Sequence, residues 1–358
     1  MRNDIDVFKD FQFDYIILDE SQNIKNLSSQ VSKAAKILKG RNRLALSGTP
    51  IENNTMELWS LFDFLMPGFL GTYQWFHRQL AQGIEKDDET GKTDLLKKMI
   101  YPFVLRRKKQ EVEKDLPEKI EIVAKLPMEE EQFKLYGEIA HFYRQELDKE
   151  MEEKGVAGSS MKILEGMLRL RQICLFPRLV DEKFDRVPSA KFDHFKELLE
   201  DILSEDHKVL IFSQFVQVLK MLRGYCDEEK FAYFYIDGSV DVNTREQMVK
   251  NFQEDEGTRV FLLSLKAGGV ALNLTAADYV IIFDPWWNPA VEAQAIDRSH
   301  RIGQTKKVMV YRMVVKDSIE EKMLELQERK KALVENLVAS DVQAFKNLKK
   351  EDILNLFN

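Results

Sequence analysis

The sequence predicts an α/β protein built on a mainly parallel sheet, and three observations carry that prediction. Short runs rich in Ile, Val, Leu and Phe recur along the chain and end in Ser, Thr, Gly or Asp turns, as strands buried on both faces do. Segments of helical spacing separate these runs. The chain has 358 residues, 44% hydrophobic and 32% charged, which is room for two or three domains with cores of their own. In order, strands are expected at Tyr15–Leu18, Leu44–Leu46, Val209–Phe212, Phe231–Ile236, Val260–Leu263 and Tyr279–Phe283, with helices over Lys191–Leu203 and Thr244–Phe252. From Glu129 to Arg171 the pattern is helical and charged, interrupted by the Gly155–Ser160 stretch. The segment Ser318–Ala339 reads as a long charged helix with Ile319, Met323, Leu326, Leu333 and Leu337 as its apolar positions. No repeat of fixed period is present.

Composition excludes several classes. With 16 Gly and 9 Pro the chain is neither collagenous nor of low complexity. Apolar stretches such as Tyr279–Phe283 fall far short of the ~20 residues of a membrane span. The charged N-terminus MRNDIDVFKDF is no secretory signal. Two cysteines, Cys174 and Cys226, cannot form a disulfide framework or a multi-cysteine zinc site, and a reducing, cytosolic-type compartment follows. The net charge of −7 conceals segregation. Gln294–Lys316 carries six Lys/Arg against the single acid Asp297, whereas Leu126–Ser160 carries nine acids against four bases. Nucleic acid, bound through phosphate neutralisation, is therefore not excluded by an acidic total.

Three constellations carry chemistry. In FDYIILDESQNIKN a buried strand ends at Asp19-Glu20, at the carboxyl edge where α/β sheets bind ligands. An Asp there can hold hydrated Mg²⁺, and the adjacent Glu can orient an attacking water. Taken alone, the pair reads more readily as a solvated strand-end turn, because Asp-Glu pairs are common. In LALSGTPIENN a strand runs into Ser47-Gly48-Thr49-Pro50, which in isolation is good turn chemistry. In Val260–Gln304 a strand ends at Ser264, followed by Lys266 and Gly268-Gly269. A second strand then precedes Trp286-Trp287, and Gln294, Arg298 and Arg301 stand at i, i+4 and i+7, one face of an expected helix. Arginines so placed suit a phosphate, although an ion-paired surface helix is the plain alternative.

Together, LDE, SGTP, FSQF at Phe212–Phe215 and SLKAGG…QAIDRSHRIGQ, with DPWWNP before the last block, occur in this order. The chain resembles the Swi/Snf-type ATPases of helicase superfamily two over nearly its whole length. That resemblance implies RecA-like helicase lobes with parallel sheets that sandwich ATP and walk along one strand of duplex DNA. It implies Mg²⁺ held through water by Asp19, the hydrolytic water positioned by Glu20, and Arg298 and Arg301 as arginine fingers beside Gln294. Asn273 would lie near the ribose. Ser21-Gln22 stands where many relatives have Ala-His. Ser47, Gly48 and Thr49 resemble the motif that couples hydrolysis to lobe movement. Double-stranded DNA would be held mostly by phosphate contacts involving Arg106, Arg107, Ser213, Gln214, Ser264, Lys266 and Trp287, with no sequence readout. Glu129–Arg171 matches the family's helical protrusion, and Glu320–Val338 its closing brace helix.

The resemblance sets the organisation expected: residues 1–115 as the back half of lobe one, 116–188 as linker and protrusion, 189–316 as a complete lobe two, and 317–358 as brace and tail. A P-loop strand with Gly-Lys-Thr belongs upstream of LDE in this family, and eighteen residues before Asp19 are too few for it. The lone Gly91-Lys92-Thr93 follows EKDDET, with Lys86 where the motif's first glycine should fall, and reads as a polar-loop decoy. The expectation is the C-terminal part of an ATP-dependent DNA translocase or remodeller that, by itself, binds ATP weakly and does not hydrolyse it. The alternative is a non-catalytic DNA- or protein-binding module descended from such an ATPase. Expected partners are duplex DNA, a P-loop half supplied separately and a DNA-bound protein complex, with no membrane. The compartment would be the bacterial cytoplasm at the nucleoid, or the nucleus in a eukaryote. A lobe one lacking its front would expose apolar surface and favour aggregation.

Overall fold

The computed structural model describes residues 4–48, 55–82, 90–105, 107, 109–113, 115–265, 272–286, 289–334 and 350–357. It divides into two compact units, residues 1–107 with 330–344 and residues 108–329 with 345–358.

In the first unit, strands β1 (Gln12–Leu18) and β2 (Lys39–Ala45) pair in parallel, with Gln12 opposite Lys39 and Leu18 opposite Ala45. The intervening helix Gln30–Ile37 starts at Ser29, whose Oγ accepts the Ser32 amide at 3.1 Å. One sheet face packs Ile16 against Ile24, Ala35, Leu38 and Phe64. A second cluster joins Leu58, Trp59 and Phe62 of the helix Thr55–Leu65 to Leu70, Phe76, Leu80 and Leu96. The opposite sheet face is open: Tyr15, Ile17, Leu44 and Leu46 are all exposed.

The second unit holds a six-stranded, all-parallel sheet of β3 (Lys119–Leu126), β4 (Val209–Ser213), β5 (Tyr233–Ile236), β6 (Val260–Ser264), β7 (Tyr279–Ile282) and β8 (Val308–Val315), in the order β3-β8-β7-β4-β6-β5. The central strands VLIFS and VFLLS are buried at every residue, as parallel strands covered on both faces must be. Phe195, Leu199, Leu219 and Leu222 cover one face, and Phe252, Leu274, Ala295 and Ile296 the other. The six expected strands are present, and two more were not expected. β3 lies where the sequence reads as linker, and its alternating burial marks it as an edge strand. β8, VMVYRMVV, lies within the segment read for its positive charge.

The helical insertion is an antiparallel pair, Glu130–Gly158 and Ser160–Leu175. Tyr143 Oη donates to Glu165 at 2.9 Å, and Lys162 lies 3.9 Å from Glu146. The first helix breaks at Gly155, where φ is 68° and ψ 172°. Ile319 and Met323 of the helix Ile319–Val334 and Ile353, Leu356 and Phe357 at the C-terminal helix Lys350–Leu356 complete this core. Gly166 is needed there, because a Cβ would meet Phe357 at 2.7 Å and Tyr143 at 2.9 Å. Lys191 and Glu320, both fully buried, pair at 2.6 Å and tie the helix Ala190–Ser204 to Ile319–Val334. Leu337, Val338 and Ala339 of the expected tail helix lie outside the described residues. Both cysteines are buried; burial raises the Cys226 thiol to about 12 and the Cys174 thiol further, so neither is a thiolate at neutral pH.

Candidate functional site

β1 delivers Asp19 and Glu20 to its carboxyl end. The chain turns there at once: Glu20 is left-handed, at φ 48° and ψ 52°, and begins the 3₁₀ turn Ser21–Ile24. A non-glycine residue in this region is strained by about 1–3 kcal/mol and is held by its surroundings. Two backbone bonds hold it, Leu46 N to Leu18 O at 2.8 Å and Ser21 N to Leu46 O at 2.9 Å, which seat the turn against the end of β2. Asp19 is exposed and accepts the Glu20 amide at 2.9 Å.

Gln22 connects the first two motifs. Its Nε2 donates to Glu20 Oε2 at 2.7 Å, and its Oε1 accepts the Ser47 hydroxyl at 3.0 Å. An amide can donate to a carboxylate and accept from a hydroxyl at once, so Glu20 and Ser47 are linked through one side chain. Gln22 was noted in the sequence only as a departure from Ala-His; its two-sided hydrogen bonding emerges in the fold. Gly48 is exposed beyond Ser47, and Thr49 lies outside the described residues.

Gly91-Lys92-Thr93, expected in a polar loop, is helical. These residues occupy the first turn of the helix Thr90–Ile100 rather than a loop, and the described elements before it are helical, Tyr73–Phe76 and His77–Ala81.

In the second unit the arginines are placed differently from the expectation. The helix Pro289–Ile296 carries Gln294 but stops before Arg298 and Arg301, so the three do not share one helix face. The stop is local: the Ser299 hydroxyl donates to Ile296 O at 3.0 Å, the Ser299 amide takes the same carbonyl at 3.2 Å, and Gly303 turns at φ 102°. Arg298 is buried and its carbonyl accepts Leu274 N at 2.9 Å. Arg301 is half-buried and donates to Asp297 O at 3.0 Å and Leu272 O at 3.4 Å. Asn273 is exposed, and its carbonyl accepts Gln253 Nε2 at 2.9 Å. His300, between the arginines, bonds Pro117 O through Nε2 at 2.7 Å, and burial lowers its pKa so that the ring is neutral and Nε2 is the donor. Lys109 Nζ donates to His300 O and lies 3.3 Å from Asp297.

At the carboxyl ends of β4 and β7, a buried acid organises the turns. Asp284 accepts the Ser213 hydroxyl and, at 3.3 Å, the Gln214 amide, so Ser213 points inward rather than to the surface. Burial raises the Asp284 carboxyl, against which Arg171 and Ser213 act. In the first turn of the helix Pro289–Ile296, the buried Glu292 accepts Trp286 N and, at 3.0 Å, Arg312 Nε, while Arg312 reaches on to Glu121. Ser264 is buried at the end of β6, and Arg107 is exposed. Arg106, Lys266 and Trp287 lie outside the described residues. Asp284, Glu292 and Arg171 were missed by sequence reading, although Asp284 ends a buried strand just as Asp19 does.

Parallel βα units with an acidic pair, a hydroxyl turn and an arginine-rich segment following their strands define a helicase-like α/β architecture. The SNF2-related domain matches residues 1–179, and the helicase conserved C-terminal domain matches residues 190–303. The chain is 40% identical over 357 residues to an uncharacterized ATP-dependent helicase of Mycoplasma pneumoniae, covering 100% of this chain and 34% of the relative. It is 36% identical over 328 residues to the chromatin-remodeling complex ATPase ISW1 of Saccharomyces cerevisiae, covering 88% of this chain and 29% of that one. A solved SWI2/SNF2 ATPase core from Sulfolobus solfataricus in complex with dsDNA is 34% identical, with a TM-score of 0.56, covering 98% of this chain and 74% of that one. The chain belongs to the SNF2 family of helicase-like ATPases, with RecA-like α/β architecture. It spans between about a fifth and a third of the length of the curated relatives it matches.

Proposed function

We propose that this chain is the part of an ATP-dependent double-stranded DNA translocase or remodeller that carries the hydrolytic acid, the coupling turn and the arginine segment. The observation that carries the reading is the Glu20–Gln22–Ser47 connection, which joins the hydrolysis and coupling motifs through one amide. In this mechanism Glu20 orients the attacking water, its carboxylate fixed by Gln22, and Ser47 reports the state of that carboxylate to the turn after β2. Arg298 and Arg301 neutralise charge developing on the transferred phosphoryl, as arginine fingers do. Arg298, buried in this state, must turn out to serve, so nucleotide engagement and rearrangement of residues 297–303 go together. Gln294 stands beside them, and the exposed Asn273 is available to the ribose.

The acidic pair fits Mg²⁺ chemistry of the hydrated kind. Asp19 is a single exposed carboxylate at a strand end. Mg²⁺ would therefore keep water and nucleotide oxygens as most of its ligands, and would neutralise phosphate charge. Duplex DNA is tracked through phosphate and sugar by Arg106, Arg107, Gln214, Lys266 and Trp287, with Ser213 and Ser264 shaping the turns from within. A DNA-bound protein complex is the object displaced.

By itself the chain binds ATP weakly and does not hydrolyse it, because its lone Gly-Lys-Thr lies in the first turn of a helix, and the described elements just before it, Tyr73–Phe76 and His77–Ala81, are helical as well. The exposed face of Tyr15, Ile17, Leu44 and Leu46 supports a P-loop-bearing segment as its complement. The test is ATP hydrolysis, with and without duplex DNA, by this chain and by a longer protein containing it together with a P-loop. Hydrolysis is expected only in the longer protein, stimulated by DNA and reduced at least about 100-fold by Glu20→Gln. A longer protein without DNA-stimulated hydrolysis overturns the translocase reading. Salt-sensitive DNA binding would then leave the non-catalytic binding module.

A further inference from the structure

The helical insertion reaches the sheet of the second unit through Arg171, on the helix Ser160–Leu175. This side chain is 5% exposed and lies where the turns after β4 and β7 meet. Its Nη2 donates to Pro285 O at 2.8 Å and stands 3.6 Å from Asp284 Oδ2. Its guanidinium lies 5.3 Å from the centre of the Phe215 ring. Asp284 in turn accepts the Ser213 hydroxyl and the Gln214 amide. One arginine from the insertion therefore touches both turns, directly at Phe215 and Pro285 and through Asp284 at Ser213 and Gln214.

Stability alone does not account for this arrangement. Buried ion pairs are frequently no better than apolar residues of the same volume. This one also leaves Arg171 Nε buried with no hydrogen-bond partner, which costs free energy. Gln214 Nε2, next to the pair, is likewise buried and unbonded. A guanidinium is suited to the geometry because it is planar: it can bond a carbonyl, face a carboxylate and stack on a ring at once, which an ammonium cannot. What the site obtains is a fixed mutual position of two turns from different strands.

We infer that Arg171 is a positioning residue through which the helical insertion sets the DNA-facing turns Ser213–Phe215 and Asp284–Trp286. The inference rests on the DNA-handling reading of those turns, and makes the insertion part of the DNA-binding machinery rather than an appendage. Arg171 is committed to Pro285 O and Asp284 and is not itself assigned a phosphate contact.

Three measurements on this chain and its R171K, R171M and D284N variants test it: urea unfolding, amide hydrogen exchange and binding of labelled duplex DNA against salt. R171K is expected to stay folded, yet to lose about tenfold of its exchange protection in segments 213–215 and 284–286, with the β5–β6 pairing unchanged. Its DNA affinity should fall about fivefold with a shallower salt dependence, as phosphate contacts are lost. D284N should show the same pattern, and the R171K/D284N pair should be no worse than either alone, because the two act as one unit. Unchanged protection in both turns of R171K overturns the inference. So does global unfolding of R171K, which would make Arg171 a stability residue, and so does full protection of both turns in R171M. Should the wild-type chain not bind DNA at all, the DNA reading fails, while the exchange result still decides whether Arg171 positions the turns.

Discussion

The two units are built from the same kind of strand-turn-helix segment but complete it to different degrees. In the second unit, β4 and β6 lie inside a six-stranded sheet with helices on both faces, and every residue of both strands is buried. In the first, β1 and β2 form a two-stranded sheet among the described residues, buried on one face and open on the other. Their open-face residues are as apolar as those covered in the second unit. The difference teaches that apolar content marks a strand as parallel and internal, whereas the neighbours present decide whether it is covered.

The largest effect is expected at the buried pair: Lys191→Met leaves the buried Glu320 carboxylate without its cation, with the Val315 amide still bonded to it, costing about 3–5 kcal/mol in urea unfolding. A loss under ~1 kcal/mol would show that the carboxylate is reached by water in the fold. Phe212→Ala, in the fully buried β4, should cost about 3–5 kcal/mol by the same measurement.

A smaller, pH-dependent effect belongs to Glu121. Burial raises its pKa, but hydrogen bonds from Lys119 and Arg312 outweigh that and lower it from 4.5 to about 2. The carboxylate therefore stabilises the fold above pH 4.5, and that contribution is lost as pH falls toward about 2. Glu121→Gln should flatten acid unfolding across that window, by about 1 kcal/mol because the side chain is partly exposed and screened. His300 titrates in a different range. Its pKa is lowered by burial, so its stabilising neutral form holds above the ordinary 6.5 and is lost as pH falls below it. His300→Gln should remove that slope while retaining a donor for Pro117 O, read from the urea midpoint against pH.

The smallest effect on stability is expected in the first unit, where Ile17→Ser should change unfolding by no more than about 0.5 kcal/mol. The same substitution should reduce self-association in sedimentation. A loss comparable to Phe212→Ala would mean that the open face is covered in solution.

Much of the fold was legible because short-range patterns suffice for it. Uninterrupted apolar runs gave the inner strands, and Ser29 and Asp241 start their helices with caps that any reader of sequence can find. β3 was not legible because an edge strand alternates exposed and buried residues, and its charged positions resemble a linker. The arginine segment misled for a related reason: spacing of i, i+4 and i+7 suggests one helix face, but the Ser299 side chain competes for the last carbonyl of the helix and ends it.

The sequence by itself determined the parallel α/β class, the order of motifs and the family, because these depend on local apolar runs and on residues close together in the chain. The tertiary structure alone shows that Gln22 joins Glu20 to Ser47, that Arg298 is buried and that Arg171 contacts Pro285, Asp284 and Phe215. Those contacts span up to 114 positions in the chain, and their energies depend on burial and on which polar groups meet away from water, neither of which has a period or a spacing to read.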